Sequence, residues 1–583
     1  MERLSTSVSG RSAWWWSVLR PTALIVLVVA VYAASLPGPM VFDDLPGILA
    51  NPAVQTIWPL HQAMDAPANT PLEARPLAQF SFSAVFAVQE AIGVGGFHPA
   101  GHRGVNVALH ALAALLLMGV VRRLAMRSRL HRQAGVIGFV VALVWAVHPI
   151  NTDTVAYIVQ RSKGLEGLML LGTLYAFMRA VSPRRDEDGK VVAWEGGHPD
   201  RRRYWLYVSV GCCLLGMMSK ESMAGTPLIV LLTDRQFVAG TFKRALRQRW
   251  RYYAGLFATW GVLVYLMMPG GRAASVGWHL DMGPMEYLLT QGNVIAWYLG
   301  LMFWPGHLML HHEWGMVSHW SEAVAGCTLV GLLGVLTLWG IAGRRWWGVA
   351  GAVFFLLLGP TSSLIPMTTE VVAERRMYLP SAAVIAAVVV MGVMGWRVVS
   401  RWEPRQRRRL AYAMSLALGG AVVGLSARTV DRSFEFRDQA AHWEAVLEVY
   451  PHSAMAWNSL GVVYNGRGER QRAVEMYEKA AGLATRDFVA PHLNLARAAM
   501  RRQAWAEALE LLNEVERRRP TSLHLWAMRG SVALHIGDPE AALMAFGRIV
   551  EIEPGNPAGL AGIEHARRMM VERAEALSAV GGS

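Results

Sequence analysis

Two adjacent acids, Asp43 and Asp44, follow the first membrane-length apolar run of the chain, at 21–36. Neighbouring ionised carboxylates repel each other and are costly to desolvate beside a bilayer, so a loop has little reason to keep them there without a use. Burial and a like-charged neighbour raise the pKa of such an acid, which suits a general base. The alternative is that Asp44 only caps a short helix that begins with Leu45 and Pro46.

Basic residues at the ends of later apolar runs are candidates to meet an anionic headgroup or a phosphate. These residues are Arg75, Arg161, Lys163, Lys220, Arg375 and Arg376. A second set of residues, most of them polar, lies near these basic residues in the sequence and is expected to line the same site. The set is His102, Asn106, His110, His148, Glu221, Glu374 and Tyr378. Each residue taken singly has an ordinary explanation, such as a helix–helix contact for His110 or a local ion pair between Lys220 and Glu221. The accumulation of these residues at the outer ends of the spans indicates a site.

The composition indicates that the structural elements carrying these residues lie in a membrane. The chain has 583 residues, of which 53% are hydrophobic and 23 are Trp, and its mean hydropathy is +0.28. Such values are typical of a polytopic membrane protein. After about Arg428 charged, amphipathic sequence replaces the apolar runs, which predicts two domains, 1–428 and 429–583. The net charge of +14 lies in short runs between apolar segments, so it indicates topology and gives no support to nucleic-acid binding.

The distribution of Lys and Arg predicts the orientation of the spans. Basic clusters, expected in the cytoplasm, lie at 3–20, 122–132, 179–203, 235–251, 344–345 and 397–409. Apolar runs that alternate with them lie at 21–36, 103–121, 134–148, 164–181, 204–219, 222–238, 253–269, 322–342, 346–358, 378–398 and 411–427. We therefore expect about 11 crossings, a cytoplasmic N-terminus as a retained signal anchor, and Asp43, Asp44 and the C-terminal domain outside. The run at 287–304 breaks this alternation, so it is interpreted as re-entrant, interfacial or a hairpin.

The three cysteines, Cys212, Cys213 and Cys327, all lie inside apolar runs. An oxidising exterior is compatible with this placement, because the expected outside regions contain no thiol. The sequence has no zinc-type spacing of Cys and His.

The C-terminal domain carries an internal repeat of about 34 residues, the period of tetratricopeptide repeats, in which small residues let paired helices approach closely. The first unit is marked by Trp457, Leu460, Gly461, Tyr464, Ala473, Tyr477 and Ala480. Matching positions follow at Leu495, Ala496, Ala499, Ala508 and Pro520, and at Trp526, Gly530, Ala533, Ala542, Phe546 and Pro554. Stacked repeats form a surface suited to peptides, so a binding role is favoured over a structural spacer.

The motifs, in order along nearly the whole chain, resemble the transmembrane and tetratricopeptide repeat-containing O-mannosyltransferases and their bacterial relatives. The resemblance rests on Phe42-Asp43-Asp44 with Asn51-Pro52, Arg75-Pro76-Leu77, Asn106 with His110, His148-Pro149 with Arg161, Lys220-Glu221 with Asp234, the run from Glu374 to Pro380, and the repeats. It implies an all-α GT-C-like membrane bundle followed by a tetratricopeptide solenoid. It also implies that an acid of the Asp43–Asp44 pair is catalytic. The pair Arg375-Arg376 stands where the family has a more usual single Arg before an aromatic.

The resemblance implies an inverting glycosyltransferase that moves a sugar, mannose in the family, from a polyprenyl phosphate to an exoplasmic acceptor, with protein Ser/Thr hydroxyls expected. The basic residues named above are then expected to hold the donor phosphate, and no cofactor is required, although a divalent metal is compatible. The repeats are expected to select the acceptor without performing chemistry, through Trp457, Asn458, Asn494 and Trp526. The expected location is a bacterial inner membrane, with the repeats in the periplasm.

Two other functions remain open from the sequence. One is a non-catalytic membrane scaffold whose repeats assemble envelope complexes, which would need neither the acids nor the outside cations. The other is a GT-C enzyme that glycosylates a lipid-linked or surface glycan.

Overall fold

The computed structural model describes residues 18–68, 70–181, 183–185, 191–194, 199–268, 283–306, 308–362, 370–399 and 403–581. The basic clusters at 3–20, 179–203 and 397–409 and the apolar run at 253–269 lie partly outside these residues. The chain forms two compact units, Met1–Asp438 and Gln439–Ser583. The division falls ten residues after the expected boundary at Arg428, because the last long helix of the first unit continues to Glu435.

The described part of the first unit is built almost entirely of α-helices, as the long apolar runs predict. They are α1 Val18–Ser35, α2 Leu60–Met64, α3 Pro76–Ala91, α4 Pro99–Met126, α5 Ala134–Ala146, α6 Thr152–Val155, α7 Arg161–Val181, α8 Pro199–Met217, α9 Thr226–Asp234, α10 Phe242–Met267, α11 Pro284–Leu301, α12 Trp320–Ala342, α13 Trp346–Ser362, α14 Tyr378–Val399 and α15 Pro404–Glu435. Two short strands, β1 Pro183–Arg185 and β2 Val191–Trp194, pair antiparallel between α7 and α8. The all-α membrane architecture is confirmed, with this hairpin as a local exception.

Among the described residues, six helical segments are long and apolar enough to cross a membrane. They are Val18–Ser35, Pro99–Met126, Ile158–Val181, Trp320–Ala342, Glu374–Val399 and Pro404–Glu435. A seventh arises if His131–Ala146 and Pro149–Val155, which meet at an angle of 58°, form one broken span. The chain is thus a multi-pass membrane protein, and the expected total of about 11 crossings remains a prediction.

One expected crossing, at 222–238, and the run at 287–304, which was expected to be re-entrant, interfacial or a hairpin, have a form that the sequence pattern did not predict. The run at 287–304 lies mainly in α11, one unbroken helix of 18 residues, so the hairpin interpretation is wrong. The run at 222–238 is a composite of a 3-10 turn, Glu221–Gly225, the short helix α9, and a π-helical turn, Arg235–Ala239. Such irregular backbone inside a membrane unit is tolerated where it is buried in protein.

Helices α4, α5, α7 and α14 pack around a shared interior that fixes the polar segments at their ends. Trp145 on α5 donates its indole N–H to the carbonyl oxygen of Tyr378 at 2.8 Å. The Tyr378 hydroxyl is 2.9 Å from His110 Nδ1 on α4. Buried polar groups are costly unless paired, so these two bonds hold α14 against α4 and α5 in one register.

The second unit is a solenoid of paired helices, as the 34-residue period predicts. Its helices are α16 Gln439–Val449, α17 Ala454–Gly466, α18 Arg470–Leu483, α19 Ala490–Arg501, α20 Trp505–Arg518, α21 Leu523–His535, α22 Pro539–Ile552 and α23 Pro557–Gly581. A Cβ on Gly461 would lie 2.6 Å from the Tyr477 ring, and one on Gly530 would lie 2.5 Å from the Phe546 ring. These contacts explain why glycine recurs where two paired helices cross.

Candidate active site

The two neighbouring acids differ in what their carboxylates do. Asp44 is fully buried, and its oxygens accept hydrogen bonds from the backbone N–H of Val41 at 2.9 Å and of Val159 at 2.7 Å. Its side chain therefore ties the loop after α1 to the segment before α7, and it does not cap the turn that follows it. Asp43 is partly exposed, and its backbone N–H donates to the Tyr157 hydroxyl at 2.9 Å.

The surroundings of both acids raise their pKa values. Burial raises the pKa of Asp43 to about 6, with a further rise from Glu370 that Arg375 and the Tyr157 hydroxyl oppose. Burial also raises the pKa of Asp44 to about 7, against the lowering effect of the two backbone N–H donors and of Arg103. An acid poised near 6 with an accessible carboxylate suits a general base, so Asp43 fits that role better than Asp44 does.

Arg375 lies at the centre of the charged cluster that faces Asp43. Its guanidinium forms ion pairs with Asp153 at 3.4 Å and with Glu370. Burial raises the pKa of Glu370, but the charge and hydrogen bond of Arg375 outweigh it and leave that pKa below its usual value. The sequence prediction included Arg375 as a phosphate ligand, and the structure shows that two carboxylates already hold it.

Glu374 anchors the loop between α11 and α12 beside this cluster. Its Oε1 accepts from the backbone N–H of Met309 at 2.6 Å and lies 2.9 Å from His312 Nε2. Its Oε2 lies 4.0 Å from the guanidinium of Arg432 on α15, a residue with only 1% of its side chain exposed. Glu374 immediately precedes Arg375 in the chain and contacts two distant segments. It therefore has a positioning role, because these contacts fix the backbone beside Arg375.

Lys220 differs from the other cations of the site in how its ammonium is paired. It is only 9% exposed, and among the described residues nothing forms a hydrogen bond or ion pair with its side chain. Burial lowers its pKa well below the usual value, and the nearby cations Arg75, Lys163 and Arg375 lower it further, while Glu221 opposes them. A buried cation among cations is costly, so this position is suited to receive an anion.

The two basic residues nearest to Lys220 are paired. Arg75 contacts both carboxylate oxygens of Glu221 at 3.1 Å. Lys163 lies 2.8 Å from Glu166 and 3.4 Å from the Ser222 hydroxyl. These pairs satisfy their own cations, so Arg75 and Lys163 shape the potential around Lys220 and hold the segments on either side of it.

Arg161 is committed to packing, which differs from its expected role as a phosphate ligand. Its guanidinium donates to Asn106 Oδ1 at 2.9 Å, to the Ser81 carbonyl at 3.0 Å and to the His102 carbonyl at 2.9 Å. It also lies over the Phe82 ring at 4.0 Å. The residue is fully buried, and all three guanidinium nitrogens have protein partners. Hydrogen bonds from Arg161 to His102 and Asn106 thus join α7 to α4.

The remaining expected site residues also hold the scaffold. Arg376 donates to the carbonyl oxygens of Val371 at 3.0 Å and of Glu370, which fixes the segment before α14. His148 accepts from the Ile150 N–H at 3.2 Å and contacts the Met302 carbonyl, while His110 and Tyr378 form the contact described above.

Some residues of the cluster were absent from the predicted site. They are Arg103, Asp153, Tyr157, Glu370, His312 and Arg432. Asp153 followed the His148–Pro149 motif and could have been assigned, because an acid at the outer end of a span is a strong signal. Glu370 and Arg432 lie in segments whose proximity only the fold reveals. Within the described part of the chain, no group of three or more His, Cys, Asp or Glu residues is arranged to hold a metal ion.

The expected acceptor-binding residues are distributed over the repeat unit. Trp457 and Trp526 each donate the indole N–H to a proline carbonyl, that of Pro451 at 2.9 Å and that of Pro520 at 2.7 Å. Asn494 donates to Asn458 at 2.9 Å, which links α19 to α17. The asparagines therefore join two neighbouring repeats, and the tryptophans have fixed rings.

Comparison with known proteins agrees with this architecture. A tetratricopeptide repeat family model matches residues 434–487 and 493–557. Protein O-mannosyl-transferase TMTC4 of Mus musculus is 25% identical over 526 residues, which is 79% of this chain and 66% of that protein. The Homo sapiens TMTC4 gives 25% over 525 residues, and the Drosophila melanogaster Tmtc3 gives 23% over 564 residues, 84% of this chain and 58% of that protein.

The chain therefore spans just under two thirds of the TMTC4 relatives and less of the fly protein. A solved structure of the APC/C hetero-tetramer Cut9–Hcn1 matches with 13% identity over 79% of this chain and 96% of that one, at a TM-score of 0.23, too low to inform the fold. The resemblance inferred from the sequence is confirmed: most of this chain is similar to protein O-mannosyl-transferases, and its C-terminal part matches a tetratricopeptide repeat family model.

Proposed function

We propose that the chain is an inverting, GT-C-type membrane glycosyltransferase that moves a sugar from a polyprenyl-phosphate donor to hydroxyl groups of exoplasmic proteins. The names of its relatives, protein O-mannosyl-transferases, support sugar transfer to protein and make mannose the first sugar to test. The tetratricopeptide unit supports a protein acceptor, since such arrays present surfaces for peptides.

One observation carries the proposal: an accessible acid and an unpaired buried cation share the same electrostatic neighbour. Arg375 influences the pKa of Asp43 and that of Lys220, which supports a shared site for the two groups. A transfer between a hydroxyl and a sugar phosphate needs both a base and a cation in one site. A scaffold that only displays repeats has no use for an uncompensated buried ammonium.

In the proposed reaction the acceptor hydroxyl oxygen attacks the anomeric carbon while the bond from that carbon to the phosphate oxygen breaks. Asp43 takes the hydroxyl proton, and Lys220 stabilises the negative charge that develops on the departing phosphate. Asp44 holds the loop that aims Asp43, and Arg375 orients the cluster through Glu370 and Asp153. A single displacement inverts the configuration at the anomeric carbon. The side chains of this site supply the proton acceptor and the positive charge, so the proposal requires no cofactor.

The decisive experiment supplies the full chain, in lipid nanodiscs, with polyprenyl-phosphate mannose and a Ser/Thr-rich peptide. We expect a peptide mass increase of one hexose, with opposite anomeric configurations in donor and product by NMR. A matched assay with a lipid-linked glycan as acceptor tests the glycan alternative. No transfer to any acceptor from this donor, by a chain that binds it, would contradict the proposal.

We further propose that the site and the repeats lie on the exoplasmic side, in the periplasm of a bacterium. The Lys/Arg distribution supports this orientation. In a chain whose three native cysteines are replaced, Val94→Cys and Glu551→Cys should react with an impermeant maleimide added to intact cells or spheroplasts. Arg129→Cys and Gln406→Cys should react only after permeabilisation. All four positions are exposed, so a reversed pattern would overturn the orientation.

A further inference from the structure

Helices α16, α17 and α18 enclose an open cleft of about 540 Å³ at the start of the repeat unit. Its lining includes Glu444, Glu448, Trp457, Leu460, Tyr464 and Glu475. Residues 439–583 contain 17 acidic and 16 basic side chains, so this concentration of acids is local. Arg472, the basic residue of the lining, is already paired with Glu469 at 2.6 Å.

The aromatic walls of the cleft are held in place before anything binds. The Trp457 indole N–H is bonded to the Pro451 carbonyl at 2.9 Å, and the Tyr464 hydroxyl donates to Glu444 at 3.1 Å. Lys479 lies over the Trp457 ring at 4.4 Å from its centroid, so this ring already takes part in a cation–π contact. Rings that are fixed in advance lose little conformational freedom on binding.

A related arrangement recurs 69 residues later, where the cation over the tryptophan comes from the same helix as the ring and not from the next helix. There α21 repeats α17, and the Trp526 indole is bonded to the Pro520 carbonyl at 2.7 Å. Arg529 lies over the Trp526 ring at 5.6 Å, forms an ion pair with Glu516 at 2.7 Å and also contacts Asn513.

The two sites differ at the position that supplies this cation. Leu460 stands where the later site has Arg529, and Glu444 stands where it has Asn513. The first cleft therefore keeps the tryptophan wall, gains an acid and has no arginine at the position of Arg529. Its own cations are Lys479 over the Trp457 ring and Arg472 over the Tyr464 ring, at 5.7 Å. The exposed carboxylates of Glu448 and Glu475 form no ion pair or hydrogen bond with the described residues.

We propose that the α16–α18 cleft binds an arginine side chain from an extended, partly apolar segment of a partner protein. The guanidinium would lie against the face of Trp457 that Lys479 does not cover, with Glu444 and Glu448 as counter-charges. Apolar neighbours of that arginine would contact Leu447 and Met476, which also line the cleft. The identification of this partner as the glycosyl acceptor rests on the proposed function, whereas the binding itself does not.

The test measures binding of a fluorescent, amidated hexapeptide centred on Leu-Arg-Val to the full chain in nanodiscs, without any sugar donor. Its partner peptide carries citrulline, a neutral side chain of nearly the same shape, in place of arginine. We expect the arginine peptide to bind at least about tenfold more tightly, as a desolvated cation–π contact with acidic neighbours requires. Equal affinities for the two peptides would overturn the proposal.

Variants of the cleft provide the second arm. Glu448→Lys and Leu460→Arg, which introduces the guanidinium seen in the later site, should each weaken binding about tenfold or more, while Glu510→Lys on α20 should not. Glu448 and Glu510 are both exposed, so this pair remains decisive if Leu460→Arg fails to fold. Unchanged binding by Glu448→Lys would contradict the assignment. Asp43→Asn should retain peptide binding, which separates a failure of this proposal from a failure of the proposed reaction.

Discussion

The two units of the molecule handle charge in opposite ways. In the membrane unit ion pairs are buried, as that of Lys163 and Glu166 is, with only 3% and 0% of the two side chains exposed. In the repeat unit the ion pairs lie in water, as Arg548 and Glu551 do with 60% and 64% exposed. Exposed pairs one helical turn apart contribute little to stability, whereas each buried charge needs a compensating partner. A buried charge without a partner is therefore informative only in the membrane unit.

This difference ranks the candidate residues of the site. Arg75, Arg161, Lys163, Arg375 and Arg376 all have protein partners, and Lys220 has none among the described residues. Asp44 is held by two backbone N–H groups, and Asp43 keeps a carboxylate that faces the cluster. The groups left uncompensated by the fold are thus the ones that substrates can compensate.

The largest effect is expected from the two acids. Asp43→Asn should lower the transfer rate by about 10²- to 10⁴-fold, because it removes the general base, and it should leave thermal stability nearly unchanged. Asp44→Asn should lower the melting temperature as well, since its amide places an N–H₂ group against a backbone N–H donor and leaves a buried donor unsatisfied, at roughly 1–3 kcal/mol. Turnover and thermal unfolding of both variants in the same nanodiscs distinguish the two roles.

Full activity of Asp43→Asn would contradict the assignment of the base. A melting temperature that falls equally in both variants would contradict the division between a chemical and a positioning acid.

The next effect separates an unpaired cation from a paired one. Lys220→Met should weaken donor binding about 10- to 100-fold, the range of a charge-assisted hydrogen bond, with stability unchanged or raised. Lys163→Met leaves Glu166 buried without its partner, which typically costs about 3–5 kcal/mol of folding stability. Lys220→Met should therefore lower donor affinity more than folding stability, and Lys163→Met should lower folding stability more than donor affinity. Unaltered donor affinity in a folded Lys220→Met chain would remove Lys220 from the site.

The pH dependence of transfer offers a smaller and graded test. The base must be ionised, and burial raises the pKa of Asp43 to about 6. Activity should therefore fall towards tenfold per pH unit below that value. A profile of kcat/KM between pH 4.5 and 8, with the unfolding midpoint followed in parallel, measures this. An acidic limb centred near 4, the ordinary range of a solvated carboxylate, would contradict a buried and active Asp43.

The sequence predicted where the site lies better than it predicted what each residue does there. Asp43, Lys220 and Arg375 stood out because acids and cations at the outer ends of apolar runs are rare. The pairing of those cations depends on contacts between residues far apart in the chain, such as Arg375 with Asp153 or Arg161 with the Ser81 carbonyl. No local pattern encodes them.

The repeats show the same limit in another form. Small residues at a fixed period predicted paired helices, because a glycine between two crossing helices leaves a signature in the sequence. The cleft of α16–α18 left no such signature in the sequence. Its proposed role depends on a difference between two corresponding repeat positions, Leu460 in the first site and Arg529 in the later one. A difference between repeats is visible in the sequence but acquires a physical sense only when the contacts of Arg529 are known.

The smallest effect is expected from the exposed pair that opened this comparison. Arg548→Ala and Glu551→Ala should each change the free energy of unfolding by about 0.5 kcal/mol or less, because water screens the pair and ordering two long side chains costs entropy. Raising the salt concentration should reduce even that difference, since it screens exposed charges first. Chemical unfolding of the full chain, followed by a probe placed in the repeats, measures the effect against Lys163→Met as the buried counterpart. A loss above about 2 kcal/mol for either exposed residue would show that surface charges support the solenoid, and burial would then no longer separate structural from functional charges in this protein.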